Sequence, residues 1–193
     1  MSLPNIILAS KSPRRRELLG KLYPDFEVYT VDVDESLECG TEIKKGTELL
    51  AIRKGAAVYE MLKSDALVIS SDTLVELDGA ALGKPRDEND AFSMLSSLSG
   101  RVHYVHTGVA VHYHGRVYSG VASSGVHFRD ISSEEIREYI ATGEPMDKAG
   151  SYGIQGIGGK FVLGYDGDFD TIMGLSVKLT EELVNKALGG GDD

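Results

Sequence analysis

The residue types best suited to phosphate chemistry crowd into one early run, Leu8-Ala9-Ser10-Lys11-Ser12-Pro13-Arg14-Arg15-Arg16. It follows the apolar strand pattern Ile6-Ile7-Leu8-Ala9 and opens a helix pattern in which Ser12 is a good N-cap and Pro13 fits the first helical position. Arginines in a first helical turn are electrostatically misplaced, because a helix N-terminus already carries about half a positive charge. A bound anion removes the misfit: free N–H groups, the helix dipole and guanidinium groups together make a phosphate site. Arg15, Leu18, Leu19 and Leu22 share one helical stripe, so Arg15 heads the buried face, Arg14 flanks it and Arg16 lies toward solvent. A solvated basic patch is the competing reading of the same run.

Asp72 and Glu35 are the carboxylates that could complete such a site. Asp72 and Thr73 follow the apolar run Leu67-Val68-Ile69, where the spacing predicts the end of a short buried strand. That is where α/β folds place working groups. Asp72 can ligate a divalent cation or take a proton from water, or it is an ordinary turn aspartate. Glu35, in the acidic stretch Asp32-Val33-Asp34-Glu35, can share a metal with Asp72 or belong to a solvated loop. Lys54 and Lys84 can each meet a phosphate as a point charge, although surface lysines are common. Gly83-Lys84 is not a P-loop, because the glycine spacing is wrong and Pro85 stands where Ser or Thr is required. The glycine-rich segment Gly150–Gly159 suits close backbone approach to a ligand, and Gln155 offers the donor and acceptor that a base edge needs. A flexible hinge would use the same glycines. His103, His106, His112, His114 and His127 have no zinc-site spacing and read as strand residues.

The elements that must position these groups alternate between apolar strands and amphipathic helices, which predicts an α/β fold. Strands are expected near Asn5–Ala9, Phe26–Val31 and Ala66–Ser70, and helices over Pro13–Leu22, Glu48–Leu62 and Asp87–Leu98. Two hairpins are expected, one over Val75–Leu82 turning at Asp78-Gly79 and a long one over Val102–Phe128 turning at His114-Gly115. Ser132 and Glu135 form a capping box, and Gly143 closes that helix. A short strand at Phe161–Leu163 and a helix at Leu179–Leu188 follow. The expectation is one mixed twisted sheet in two lobes with a central cleft: a single α/β domain over residues 1–188 and a disordered tail over 189–193.

Composition narrows the function classes. The chain has 193 residues and a formal net charge of −10. That charge argues against nucleic-acid and anionic-membrane binding, while one concentrated basic patch suits a small anionic ligand. Cys39 is the lone cysteine, which fits a reducing, cytoplasmic setting. No apolar run approaches the roughly 20 residues of a membrane span.

Taken together, Leu8–Leu19, Ser71-Asp72-Thr73-Leu74-Val75, Gly83-Lys84-Pro85, Met94-Leu95 through Leu98-Ser99-Gly100, Thr107-Gly108-Val109, Gly143–Gly156 and Gly174-Leu175 resemble the Maf family of nucleoside triphosphate pyrophosphatases. The likeness runs from about residue 5 to 188. It implies hydrolysis of a nucleoside triphosphate to the monophosphate and pyrophosphate with Mg²⁺ or Mn²⁺. It also implies a two-lobed fold similar to that of inosine triphosphate pyrophosphatases, and a homodimer. In that likeness Asp72 matches the proton acceptor. Ser10, Arg14, Arg15, Lys54 and Lys84 match positions around the triphosphate, and Glu35 matches a carboxylate beside the metal. Arg14, Thr73 and Gln155 resemble the branch acting on dTTP and UTP, with Thr73 and Gln155 reading a pyrimidine edge. The same reaction on 7-methyl-GTP or another non-standard nucleotide is one alternative, and a non-catalytic nucleotide-binding regulator of cell division is another. The chain departs from the family pattern in Ser70-Ser71 for an Ala pair, Gly55 for Ala and Ser176 for Pro.

Overall fold

A computed structural model describes residues 3–63 and 65–189. Residues 190–193 of the expected tail lie outside the described residues, and Gly189 ends the last turn. The order is β1 (Ile6–Leu8), α1 (Pro13–Gly20), β2 (Glu27–Val28), α2 (Ile43–Leu62), β3 (Leu67–Leu77), β4 (Ala80–Leu82), α3 (Glu88–Leu98), β5 (Val102–Tyr113), β6 (Arg116–Phe128), α4 (Ser133–Ala141), β7 (Val162–Asp166), α5 (Phe169–Met173) and α6 (Val177–Ala187). Short 3₁₀ turns at Glu144–Asp147, Ala149–Ser151 and Ile157–Phe161 carry the glycine-rich segment. The sheet is mixed, as expected, in the order β2-β1-β3-β5-β6-β7, with β4 on β3. β1 is parallel to both β2 and β3, whereas β4 and β7 join antiparallel.

The chain divides into two compact units. The first comprises Met1–Asp72, Thr107–Ala122 and Gly174–Asp193; the second comprises Thr73–His106 and Ser123–Met173. In the first, Ile7 and Val68 of the parallel strands, with the adjoining Ala9 and Ala66, pack on Val58 of α2. Leu18 and Leu19 of α1 are fully buried, each burial contributing roughly 1.5–3 kcal/mol. In the second, Val75, Leu77, Val105, Val126 and Phe128 face α3 and α4 through Leu95, Leu98, Ile136 and Tyr139. On the strand face away from that core, His106 lies between Glu76 Oε2 and Ser123 Oγ at 2.7 Å each, a cross-strand polar ladder.

Local signals behaved as their chemistry requires. The Ser12 side chain accepts from the Arg15 N–H at the start of α1, and the Ser132–Glu135 capping box is complete. Asp78-Gly79 and His114-Gly115 take positive φ at both turn residues, which tight hairpins need. Three expectations are corrected. The strand expected at Ala66–Ser70 runs on to Leu77, so Asp72 lies inside β3 and not past its end. Four polar residues, Ser70 to Thr73, interrupt the apolar run, but Leu74, Val75 and Leu77 carry the strand on beyond them. α2 starts at Ile43, five residues before Glu48, and the second strand shrinks to Glu27–Val28. α5 was not anticipated, being a single short turn region. His103, His106, His112 and His127 do lie on strands, while His114 lies in the hairpin turn. No helix among the described residues is long and apolar enough to cross a membrane.

His103 and His112 are buried, with His103 Nδ1 and both ring nitrogens of His112 lacking a partner among the described residues. Burial lowers both imidazoles from the usual 6.5 to about 4, with His127 adding to the effect at His103. The unfolded chain therefore takes up protons that the folded chain refuses. Stability should be full above about pH 6.5 and fall as pH drops toward 4, by roughly 1.4 kcal/mol per pH unit for each histidine. Urea unfolding at pH 7, 5.5 and 4.5 measures this slope, and His112→Asn should flatten it by about half.

Candidate active site

Residues flanking β1, α2 and β3 meet around Asp72. Asp72 is 7% exposed, and a carboxylate that far from water needs a partner. Lys54 supplies it: its Nζ hydrogen-bonds Asp72 Oδ1. The same Nζ lies 2.8 Å from Glu35 Oε1, so one ammonium joins both carboxylates. Lys54 comes from the middle of α2, which must lie close on β3 for the side chain to reach. Ser70 Oγ fastens that contact by donating to the Ala51 carbonyl at 2.7 Å. Gly55 permits it: a Cβ there would stand 2.5 Å from both His112 Nδ1 and Ser70 Oγ. The departures from the family pattern at 55 and 70 are therefore one packing solution together with His112.

Glu35 is not held by chance. Arg53, the neighbour of Lys54, donates to the carbonyls on either side of Glu35, Asp34 O at 2.9 Å and Ser36 O at 2.6 Å. One turn of α2 thus sets both the acidic loop and the lysine between the carboxylates. The role of Arg53 was missed in the sequence, although a cation beside Lys54 and an acidic loop were both visible.

Arg15 points inward. Its Nε donates to Gly174 O at 2.8 Å and its Nη1 to Ser71 O at 2.8 Å, with Ser10 Oγ at 3.4 Å. Ser71 Oγ donates to the same Gly174 carbonyl at 2.8 Å. Ser10 also accepts from the Ser12 N–H at 3.2 Å. A planar guanidinium fork suits this bridging of carbonyls, which an ammonium could not reproduce. Burial pulls the Arg15 pKa down, Asp72 and Glu35 pull it up, and Arg14 lowers it again. Arg15 thus sits in the field of both carboxylates while tying the head of α1 to β3. The structure brings together Ser10, Arg15, Glu35, Lys54 and Asp72, with Arg14 beside Arg15 in the first turn of α1.

Thr73, Lys84 and Gln155 belong to the second unit. Thr73 is half-buried in β3, and Lys84 and Gln155 are exposed. The Gly150 N–H donates to Gly83 O at 3.1 Å, which fastens the Gly83-Lys84-Pro85 loop to the glycine-rich segment. That segment is not a loose hinge. The Glu144 carboxylate accepts from the Ile157 N–H and the Gly158 N–H, each at 3.0 Å, and the Tyr139 hydroxyl accepts from the Gly153 N–H at 3.2 Å. A Cβ at Gly156 would collide with Glu144 Oε1, and one at Gly158 would stand 2.6 Å from Tyr139 Oη. Gly156 and Gly158 thus make room for protein side chains. Burial raises the Glu144 pKa, but bonds from Tyr139, Gly158 and Ile157, with Lys148 nearby, outweigh it and hold the carboxyl below its usual range. Glu144 was also missed, though a glycine-dense segment signals bare N–H groups that need an acceptor.

Residues 5–187 match the profile of the Maf-like protein family. The chain is 46% identical over 187 residues to a dTTP/UTP pyrophosphatase of Thermococcus onnurineus (strain NA1), covering 96% of this chain and 98% of the relative. It is 45% identical over 184 residues to a dTTP/UTP pyrophosphatase of Clostridium perfringens (strain 13 / Type A), covering 93% and 96%. Among solved structures, the Ham1 protein of Staphylococcus aureus superposes with a TM-score of 0.47 at 18% identity, covering 65% of this chain and 72% of that one.

Gly55→Ala gives a direct check on the packing that aims Lys54. Alanine adds about 1 kcal/mol of helix propensity, yet the clash with His112 and Ser70 should leave the protein about 1–3 kcal/mol less stable by urea unfolding. Adding His112→Ala should relieve the clash, leaving the double variant more stable than the sum of the single changes predicts.

Proposed function

The chain belongs to the Maf-like protein family, and from that membership we propose that it hydrolyses dTTP and UTP to the monophosphate and pyrophosphate. The observation that supports this reading most is the buried Asp72 carboxylate, held by Lys54 beside Glu35 and within the field of Arg15. Water attacks the α-phosphorus in line, a new O–P bond forms, and the bridging P–O bond to the β-phosphate breaks. Asp72 accepts the proton of the attacking water, and pyrophosphate leaves. Lys54, Arg14 and Lys84 offset the charge that builds on the phosphates. Arg15 fixes the loop of Ser10 and adds to the same positive field. Thr73 and Gln155 read the pyrimidine edge through groups that both donate and accept.

Asp72 and Glu35 fit a divalent cation of the magnesium type, which takes one or two carboxylates and completes its shell with waters and phosphate oxygens. No group of three or more His, Cys, Asp or Glu side chains forms a protein-only cage among the described residues. Asp72 and Glu35 would hold such a cation, which would supply Lewis-acid polarisation of a phosphate oxygen. The lone Cys39, exposed and unpaired, supports a reducing cytoplasmic setting, and likeness to the family supports a homodimer acting on small nucleotides.

Incubation with Mg²⁺ and dTTP, UTP, CTP, dATP, GTP or 7-methyl-GTP tests the reading. Pyrophosphate should appear mainly from dTTP and UTP; orthophosphate as the first product would overturn the cleavage site. Asp72→Asn should lower kcat by roughly 10²- to 10⁴-fold without changing the fold, as loss of a general base does. Near-normal turnover would remove Asp72 from that role.

A further inference from the structure

Glu144 is a carboxylate of the second unit that the proposed reaction leaves unused. Its two oxygens are each spent on a different backbone N–H of the glycine-rich segment, Oε1 on Ile157 and Oε2 on Gly158. Tyr139 links to it and at the same time accepts the Gly153 N–H. The six residues from Gly153 to Gly158 are therefore pinned at both ends by α4 and the turn that follows it. Between the pins, the Gly156 N–H donates to Gly153 O at 3.2 Å and closes a turn with Gln155 at its third position. Ile154 anchors the near side of that turn by packing on the apolar core. Gln155 itself is exposed, so its direction is set by the backbone on either side and not by packing of its own.

We propose that Glu144 is a positioning residue for nucleobase selection: it acts as an internal anion around which the segment wraps, and so fixes the turn that presents Gln155. The inference rests on the reading of Gln155 as the base-contacting residue. Three features favour it over a purely structural role. The carboxylate binds the presenting loop itself, through both oxygens. The residue that follows Gln155 is one where any side chain would displace Glu144, so loop and carboxylate are fitted to each other. Lys148 Nζ donates to the Glu144 main-chain carbonyl at 2.8 Å, fixing the carboxylate's own backbone. Charge-assisted bonds of this kind are about twice as strong as neutral ones, which gives the loop one dominant conformation.

The test uses the full chain, with wild type, Glu144→Ala, Glu144→Gln and Gln155→Ala compared. Two readouts are taken: hydrogen exchange at the Ile157 and Gly158 amides, and the ratio of kcat/KM for dTTP to that for CTP. Glu144→Ala should lose protection at both amides and reduce the ratio about tenfold, mainly through KM for dTTP, with kcat changed little. Glu144→Gln keeps one acceptor oxygen, so it should keep one protected amide and an intermediate ratio. Gln155→Ala should reduce the ratio with both amides still protected. A wild-type ratio in Glu144→Ala despite lost protection overturns the proposal, as does protection that survives the substitution. Should Glu144→Ala fail to fold, the same two outcomes in Glu144→Gln decide it. A ratio unmoved by Gln155→Ala alone instead overturns the base-contact reading on which the proposal rests.

Discussion

A negative charge held inside a β-sheet is the constraint that organises the first unit. Asp72 sits within a hydrogen-bonded strand, where water is scarce and an unpaired carboxylate is strongly unfavourable. Lys54 resolves this by setting an ammonium against the carboxylate. For Lys54 to arrive, α2 must approach β3 closely; with His112 and Ser70 packed against the helix there is no room for a side chain at 55, and the Ser70 hydroxyl bonds the helix backbone. The same turn of α2 reaches the other way through Arg53 and pins the loop of Glu35. Ion pair, helix placement and acidic loop are consequences of one buried charge.

The second unit uses the opposite arrangement. There the carboxylate does not face a cation across an element but collects backbone N–H groups from a segment too rich in glycine to hold itself. Glycine has the greatest conformational entropy to lose on ordering, so a segment with this composition stays in one shape only when something else binds it. Glu144 and Tyr139 do so with bonds to Gly153, Ile157 and Gly158.

Much of the fold was legible because its signals are local. Ser12, Ser132 with Glu135, Asp78-Gly79 and His114-Gly115 each specify a cap or turn within four residues, and all formed as read. The limits of β3 were not legible, because a strand that absorbs Asp72 is stable only once Lys54 has arrived from a helix 18 residues earlier. The site divided along the same line. Residue types identified Asp72, Glu35, Lys54 and the arginines, but the inward turn of Arg15 depends on Gly174, 159 residues away. Arg53 and Glu144 escaped notice because their partners are main-chain atoms, which leave no mark in the sequence.

The placement of Asp72 within a strand also governs how the protein can fail. Groups on surface loops can drift out of register through low-energy local openings while the remainder stays folded. A carboxylate in the interior of an 11-residue strand has no such private route. To displace it, ladder hydrogen bonds must break and the packing of Val68 and Val75 on either side must be given up. Heat inactivation and loss of the sheet should therefore share one transition, so that surviving enzymatic activity serves as a gauge of the intact fold.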